Sequence, residues 1–107
     1  MNEINWSKSE KVVARRAFDT AYKRECDATI AKLKEMIVKA TKPEHIWGIH
    51  DYLTEQLKQI NRNHDYRYSI LIFVFARLFQ EGWLKLTDLE GLAEDKIEEI
   101  EKWLKRC

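Results

Sequence analysis

Residues 7–40 read SKSEKVVARRAFDTAYKRECDATIAKLKEMIVKA, and no Gly or Pro follows before Pro43. Ser7 with Glu10 is a capping box, in which each side chain takes up a backbone donor of the first turn. Ala14, Phe18, Tyr22, Cys26, Ile30, Leu33, Ile37 and Ala40 recur at steps of three or four, the spacing of one helix face, and charges fill the other faces. The spacing predicts one helix from about Lys8 to about Ala40; the competing reading breaks it near residue 27 into two. At 1.5 Å per residue, roughly 33 residues reach about 50 Å. A compact domain of this length measures on the order of 35 Å across. The helix therefore overhangs any globule the rest of the chain can build. An apolar stripe on the overhang needs a partner, most simply a second copy.

Downstream, Thr41 and Glu44 with Pro43 between them signal a second start. Ile46, Ile49, Leu53, Leu57 and Ile60 then form a stripe, giving a helix from about Lys42 to Asn61. Asp65 can cap a third helix, Tyr66 to Glu81, with Gly82 as its left-handed stop. Ile70 to Phe75 is apolar all round, so this helix is expected to be buried on most sides, with Phe73, Phe75 and Phe79 building a core. Thr87 with Glu90, then Gly91, leaves room for a single turn. A last helix, Glu94 to Lys105, places Ile97, Ile100, Trp103 and Leu104 on one face. The fold class expected is all-α: a single domain with a long helical stem (about 8–61) and a small helical head (about 62–107), homodimeric.

The 107 residues are 45% hydrophobic and 35% charged with three glycines and one proline, a helical composition, and the net charge of +1 excludes a globally basic nucleic-acid binder. The charge is uneven. Residues 8–42 hold ten Lys/Arg against five Asp/Glu, while 81–107 hold five against eight. A basic half and an acidic tail favour a charged protein, or another copy, over nucleic acid. The longest apolar run, Ile70 to Ala76, is too short to span a membrane. The first residues have no basic cluster followed by an apolar run, so a cytoplasmic protein is expected, with Cys26 and Cys107 as reduced thiols.

No nucleophile constellation, glycine-rich phosphate loop or pair of carboxylates in an apolar setting is present, so no enzyme and no cofactor are expected. His45 and His50 are five apart, on different helix faces, and His64 stands alone, so no metal site is expected. On the second helix, Trp47 reaches His50 and Asp51 at i+3 and i+4, with Thr54 and Leu57 further along. This cluster suits an interface, because Trp is enriched in hot spots and the titratable pair is costly to bury unpaired. The plainer reading puts Trp47 at the edge of the monomer's own core. In Asp65-Tyr66-Arg67-Tyr68-Ser69 the phenols need hydrogen-bond partners if buried, and Arg67 is expected to pair with an acidic side chain from elsewhere.

The run from Asp65 through Tyr66, Arg67 and Tyr68 to Phe75 and Ala76, with Trp47-Gly48-Ile49-His50-Asp51 and Leu89-Glu90-Gly91-Leu92, resembles the fluorescence recovery protein family. The resemblance covers nearly the whole chain and is strongest over residues 46–92. It implies an all-helical homodimer with an extended stem and a head at each end. It also implies a photoprotection role: binding the C-terminal domain of the photoactivated orange carotenoid protein and speeding its return to the resting state. By resemblance, Trp47, His50 and Asp51 match the family's stem interface, with Thr54 and Leu57 beside them. In the head, Asp65, Tyr66, Arg67, Tyr68 and Phe73 are the expected partner contacts. Where the family's cyanobacterial members carry a functionally important Arg, this chain has Leu57, with Lys58 and Arg62 nearby but pointing elsewhere. A dimeric adaptor or chaperone-like homologue with a different client therefore remains the second reading.

Overall fold

The computed structural model describes residues 5–106, so Cys107 lies outside it. Helix α1 spans Lys8–Lys39 and α2 Pro43–Asn63; α3 spans Leu71–Gln80, a 3₁₀ turn Leu86–Leu89, and α4 Glu94–Arg106. The described residues measure 54 × 24 × 22 Å with a radius of gyration of 16.9 Å. α1 is unbroken and overhangs the rest, as its spacing predicts.

The capping box forms as expected: the Ser7 hydroxyl accepts from the Glu10 N–H and the Glu10 carboxylate from the Ser7 N–H. The second start differs. Instead of a Thr41/Glu44 box, the His45 ring Nδ1 accepts from the backbone N–H groups of Thr41 and Lys42, at 2.9 and 3.2 Å. An imidazole nitrogen three residues into the helix does what a capping carboxylate would do, and Pro43 fixes the first turn. Gly82 and Gly91 both take positive φ, 86° and 103°. At Gly91 a Cβ would stand 2.7 Å from Val13 Cγ2, so the turn into α4 approaches α1 at glycine distance.

The core lies between the first half of α1 and the elements after residue 70. Ala14, Ala17 and Ala21 of α1 are at most 1% exposed and face Leu71, Phe75, Leu78 and Leu89. Three alanines on one face let α1 lie close to its neighbours. Phe75 is fully buried and Phe79 half-buried, but Phe73 is 37% exposed, so one of the three phenylalanines expected in the core stands on its surface. α1 thus serves the head with its first half and the stem with its second.

A helix can do this because the apolar stripe read from its sequence does not stay on one side. A step of four residues turns about 40° past a full circle. From Ala14 through Phe18, Tyr22 and Cys26 to Ile30, four such steps carry the stripe round by about 160°. Ala14 and Phe18 are buried accordingly, whereas Ile30 and Ile37 are 48% and 55% exposed on nearly the opposite side.

The two ends of the described chain are tied by a buried charge network. Glu10 accepts from the Ala93 N–H at 3.1 Å and pairs with Lys96 at 3.2 Å, and Lys96 Nζ sits 5.1 Å from the Trp6 ring centroid. The Ser7 N–H, and then Ala93 and Lys96, hold the Glu10 carboxyl down to about 2 against the opposing effect of burial. A carboxyl whose folded pKa is depressed stabilises the fold above its unfolded value and loses that contribution on protonation. Thermal melts followed by circular dichroism should therefore show a stability decline between about pH 4.5 and about 2 that is shallower in Glu10→Gln.

Candidate functional site: an exposed apolar strip and an aromatic strap

The stem is the hairpin of α2 with the second half of α1. Leu33, Met36, Ile49 and Tyr52 are half-buried along it. Its other side carries Ile46, Trp47, Leu53 and Leu57 on α2 and Ile30, Ile37 and Val38 on α1, all exposed. Trp47 is 65% and Leu57 60% exposed, so the reading of Trp47 as the edge of the monomer core does not hold. His50, Asp51 and Thr54 are exposed on the same helix. His50 Nδ1 stands 3.5 Å from Asp51 Oδ1, and the Thr54 hydroxyl donates to the His50 carbonyl at 2.9 Å. The five residues singled out on α2 therefore share one open, apolar-edged strip. Among the described residues nothing of its own chain covers this row of large apolar side chains.

The head residues are arranged differently from the sequence expectation. The third helix begins at Leu71 rather than Tyr66, because residues 64–67 run without helical structure as a strap along α1. In an extended chain alternate side chains share a face. His64 and Tyr66 turn inward and, with the exposed Tyr68 at the edge, continue a ladder of rings on α1: Trp6–Tyr68 5.9 Å, Tyr68–Tyr66 5.5 Å, Tyr66–Phe18 4.8 Å, Phe18–His64 5.0 Å and His64–Tyr22 5.2 Å between centroids. Asp65 and Arg67 turn outward together, and Arg67 Nε donates to Asp65 Oδ1 at 2.8 Å. Arg67 therefore pairs with its own segment rather than with a distant acid, and Asp65 answers Arg67 instead of capping a helix. The guanidinium holds the Asp65 carboxyl below its usual range, while burial pushes the Tyr66 phenol up to about 12. Lys11 lies 5.0 Å from the Tyr68 ring centroid and Arg15 4.8 Å from that of Tyr66.

The strap is anchored at its start by a buried polar clasp that the sequence reading missed. Glu25 and Asn63 are 2% and 1% exposed. The Asn63 amide donates to Glu25 Oε2 at 3.4 Å and to Glu81 Oε1 at 2.7 Å, and His64 Nε2 stands 3.1 Å from Glu25 Oε1. The signal was a carboxylate on the Ala14–Ala21 face of α1 and the period-two spacing His64-x-Tyr66-x-Tyr68. Phe73 is not part of the strap; its ring meets Trp103 at 5.3 Å, and Arg77 stands 4.6 Å above it. Among the described residues no group of three His, Cys, Asp or Glu could hold a metal ion, and no helix is long and apolar enough to cross a membrane.

An overhanging helical hairpin with an uncovered apolar strip, attached to a small strapped head, defines an interaction protein of the stem-and-head type. The chain belongs to the family of the photoprotection regulator fluorescence recovery protein, whose sequence profile matches residues 6–103. It is 36% identical over 98 residues to the fluorescence recovery protein of Synechocystis sp. PCC 6803, covering 92% of this chain and 90% of that one. Among solved structures it superposes on the fluorescence recovery protein of Fremyella diplosiphon with a TM-score of 0.88 and 41% identity, over 96% of this chain and all of the other. The Synechocystis structure gives the same TM-score at 35% identity and the same coverage. The family is one of regulators, not of enzymes.

Removing the clasp's amide leaves a buried carboxylate short of donors. Asn63→Ala should cost about 1–3 kcal/mol in urea unfolding followed by circular dichroism, the typical penalty for orphaning a buried polar group.

Proposed function

We propose that the chain acts as a non-enzymatic, cytoplasmic homodimer that binds the orange carotenoid protein, through its C-terminal domain, and accelerates its return from the photoactivated to the resting state. The observation that carries the reading is the open strip of Ile46, Trp47, Leu53 and Leu57 on α2, continued by Ile30 and Ile37 on α1. Two copies set antiparallel would cover each other's strips and leave a head at each end. Membership of a photoprotection regulator family over residues 6–103 supports the client. In this arrangement Trp47, His50, Asp51, Thr54 and Leu57 lie at or beside the seam. Asp65, Tyr66, Arg67, Tyr68 and Phe73 offer head contacts for the client, of which Arg67, Tyr68 and Phe73 are exposed.

Light scattering after size exclusion at micromolar concentration should report twice the 12.9 kDa chain mass. Trp47→Glu places a charge among apolar partners and should give helical monomers, because the core of the head lies elsewhere. A Trp47→Glu protein that remains dimeric would remove Trp47 from the seam.

The second reading, an adaptor for another client, is favoured by one residue. Leu57 stands where the cyanobacterial members are expected to carry a cation, and it is open to solvent. Dark recovery of photoconverted orange carotenoid protein, followed by absorbance, separates the two. The wild-type chain should accelerate recovery, and Leu57→Arg should accelerate it by about a further threefold where light scattering shows the dimer kept, roughly what a new rim charge pair contributes; a Leu57→Arg protein that turns monomeric places Leu57 under the second copy. Recovery untouched by both proteins would support the adaptor.

A further inference from the structure

The face of α1 opposite the head core bears Lys8, Val12, Arg15, Arg16, Asp19 and Lys23, all but Asp19 and Val12 basic. Every one of these is exposed, Val12 by 65%, and Lys11 lies at the edge of the same face. Over residues 8–27 the exposed charges are five cations, Lys8, Lys11, Arg15, Arg16 and Lys23, against two carboxylates, Asp19 and Asp27. Arg24 is not among them, since it is spent on Asp88 at 2.6 Å and the Trp83 carbonyl at 3.0 Å. Val12, Arg15, Arg16, Asp19, Thr20 and Lys23 line a shallow open depression of about 580 Å³.

Four of the five cations are already positioned. Lys11 is stacked on Tyr68 and Arg15 on Tyr66, Arg16 reaches the Glu90 carbonyl at 3.5 Å, and Lys23 holds Asp27 at 2.7 Å. Cations fixed in advance lose less conformational freedom when they meet a partner. At the centre of the ridge sits an apolar side chain, Val12, which a phosphate backbone would not use, while Asp19 is already paired with Arg15 at 3.2 Å. The ridge also lies on the same side of α1 as Ile30 and Ile37, by helix periodicity. It therefore continues the stem strip toward the head, just past the part a second copy would cover.

The geometry points to this ridge as a docking surface for an acidic protein surface, carboxylates surrounding a small apolar contact, presented by the client. This rests on the client reading above and adds where on the chain that client sits and what charge it brings. Its partner surface differs from the strap and from Phe73, and it uses residues that the family resemblance assigns no role.

The test titrates photoactivated, full-length orange carotenoid protein with the wild-type chain and with Lys8→Glu/Arg16→Glu, at about 0.05 and about 0.3 M NaCl, where charge screening differs. Both replaced residues are exposed and outside the core, and circular dichroism checks that the variant is folded. The expected result is binding weakened about tenfold or more at low salt and nearly converged at high salt, with the dimer mass unchanged. Equal affinity and equal salt dependence for the two proteins overturns the ridge alone and leaves the client reading standing. Absence of binding by the wild type overturns both. A variant that becomes monomeric assigns the ridge to the second copy, and a ridge-dependent grip on duplex DNA stronger than on the protein assigns it to nucleic acid; either overturns the proposal.

Discussion

Three separate parts of the chain meet at the carboxylate of Glu25: the middle of α1, the end of α2 through Asn63, and the strap through His64. A carboxylate at 2% exposure is stable only if its hydrogen-bonding capacity is used, and here the donors come from residues 38 and 39 positions away. Because Asn63 also reaches Glu81, the same contact fixes the exit of α3 relative to the stem. The inward rings of the strap follow from this anchor. Once His64 is set against Glu25 and Tyr22, the extended spacing delivers Tyr66 to Phe18 and Tyr68 to Trp6. α3 can begin only where that spacing ends.

The lengths and ends of the long helices were legible because local chemistry determines them. Ser7 with Glu10, the absence of Gly and Pro to residue 42, and Gly82 and Gly91 at positive φ all act within a few residues. The overhang, too, was legible, being a consequence of length. What local rules could not show was any choice settled by a partner far along the chain. Asp65 has the right side chain to cap a helix at Tyr66. Two inward rings, a third stacked at the edge and a buried anchor outweigh one capping bond worth about 1 kcal/mol, so the strap stays extended. The stripe on α1 was misjudged for a geometric reason: steps of four look constant in sequence but drift in space. At the stem, spacing grouped Trp47 with His50 and Asp51 but left open whether Trp47 edged the core, and its exposure came only with the structure; Phe73, read into the core from an all-round apolar run, stands on the surface.

The uneven charge of the sequence also takes on a different meaning in three dimensions. The basic first half and acidic tail are partly spent on each other, since Arg24 meets Asp88 and Arg16 meets the carbonyl of Glu90. The buried pair reverses the pattern, with an acid, Glu10, from the basic half and a base, Lys96, from the acidic tail. Both charges sit on mainly apolar helix faces, where an unpaired charge would be expensive. Over residues 8–27 the exposed surplus that remains, five cations against two carboxylates, lies mostly on one face of α1.

The Glu10–Lys96 pair spans 86 positions, and the core face of α1 is covered by residues after 70. The ribosome delivers α1 and α2 well before anything that can bury Ala14, Ala17 or Ala21. At a synthesis rate of about 5–20 residues per second, that interval lasts on the order of seconds, far longer than helix formation takes. For that time the nascent chain is a hairpin with apolar surface open on two sides rather than one. The first half of its longest helix waits, uncovered, for residues 71–100 to be made.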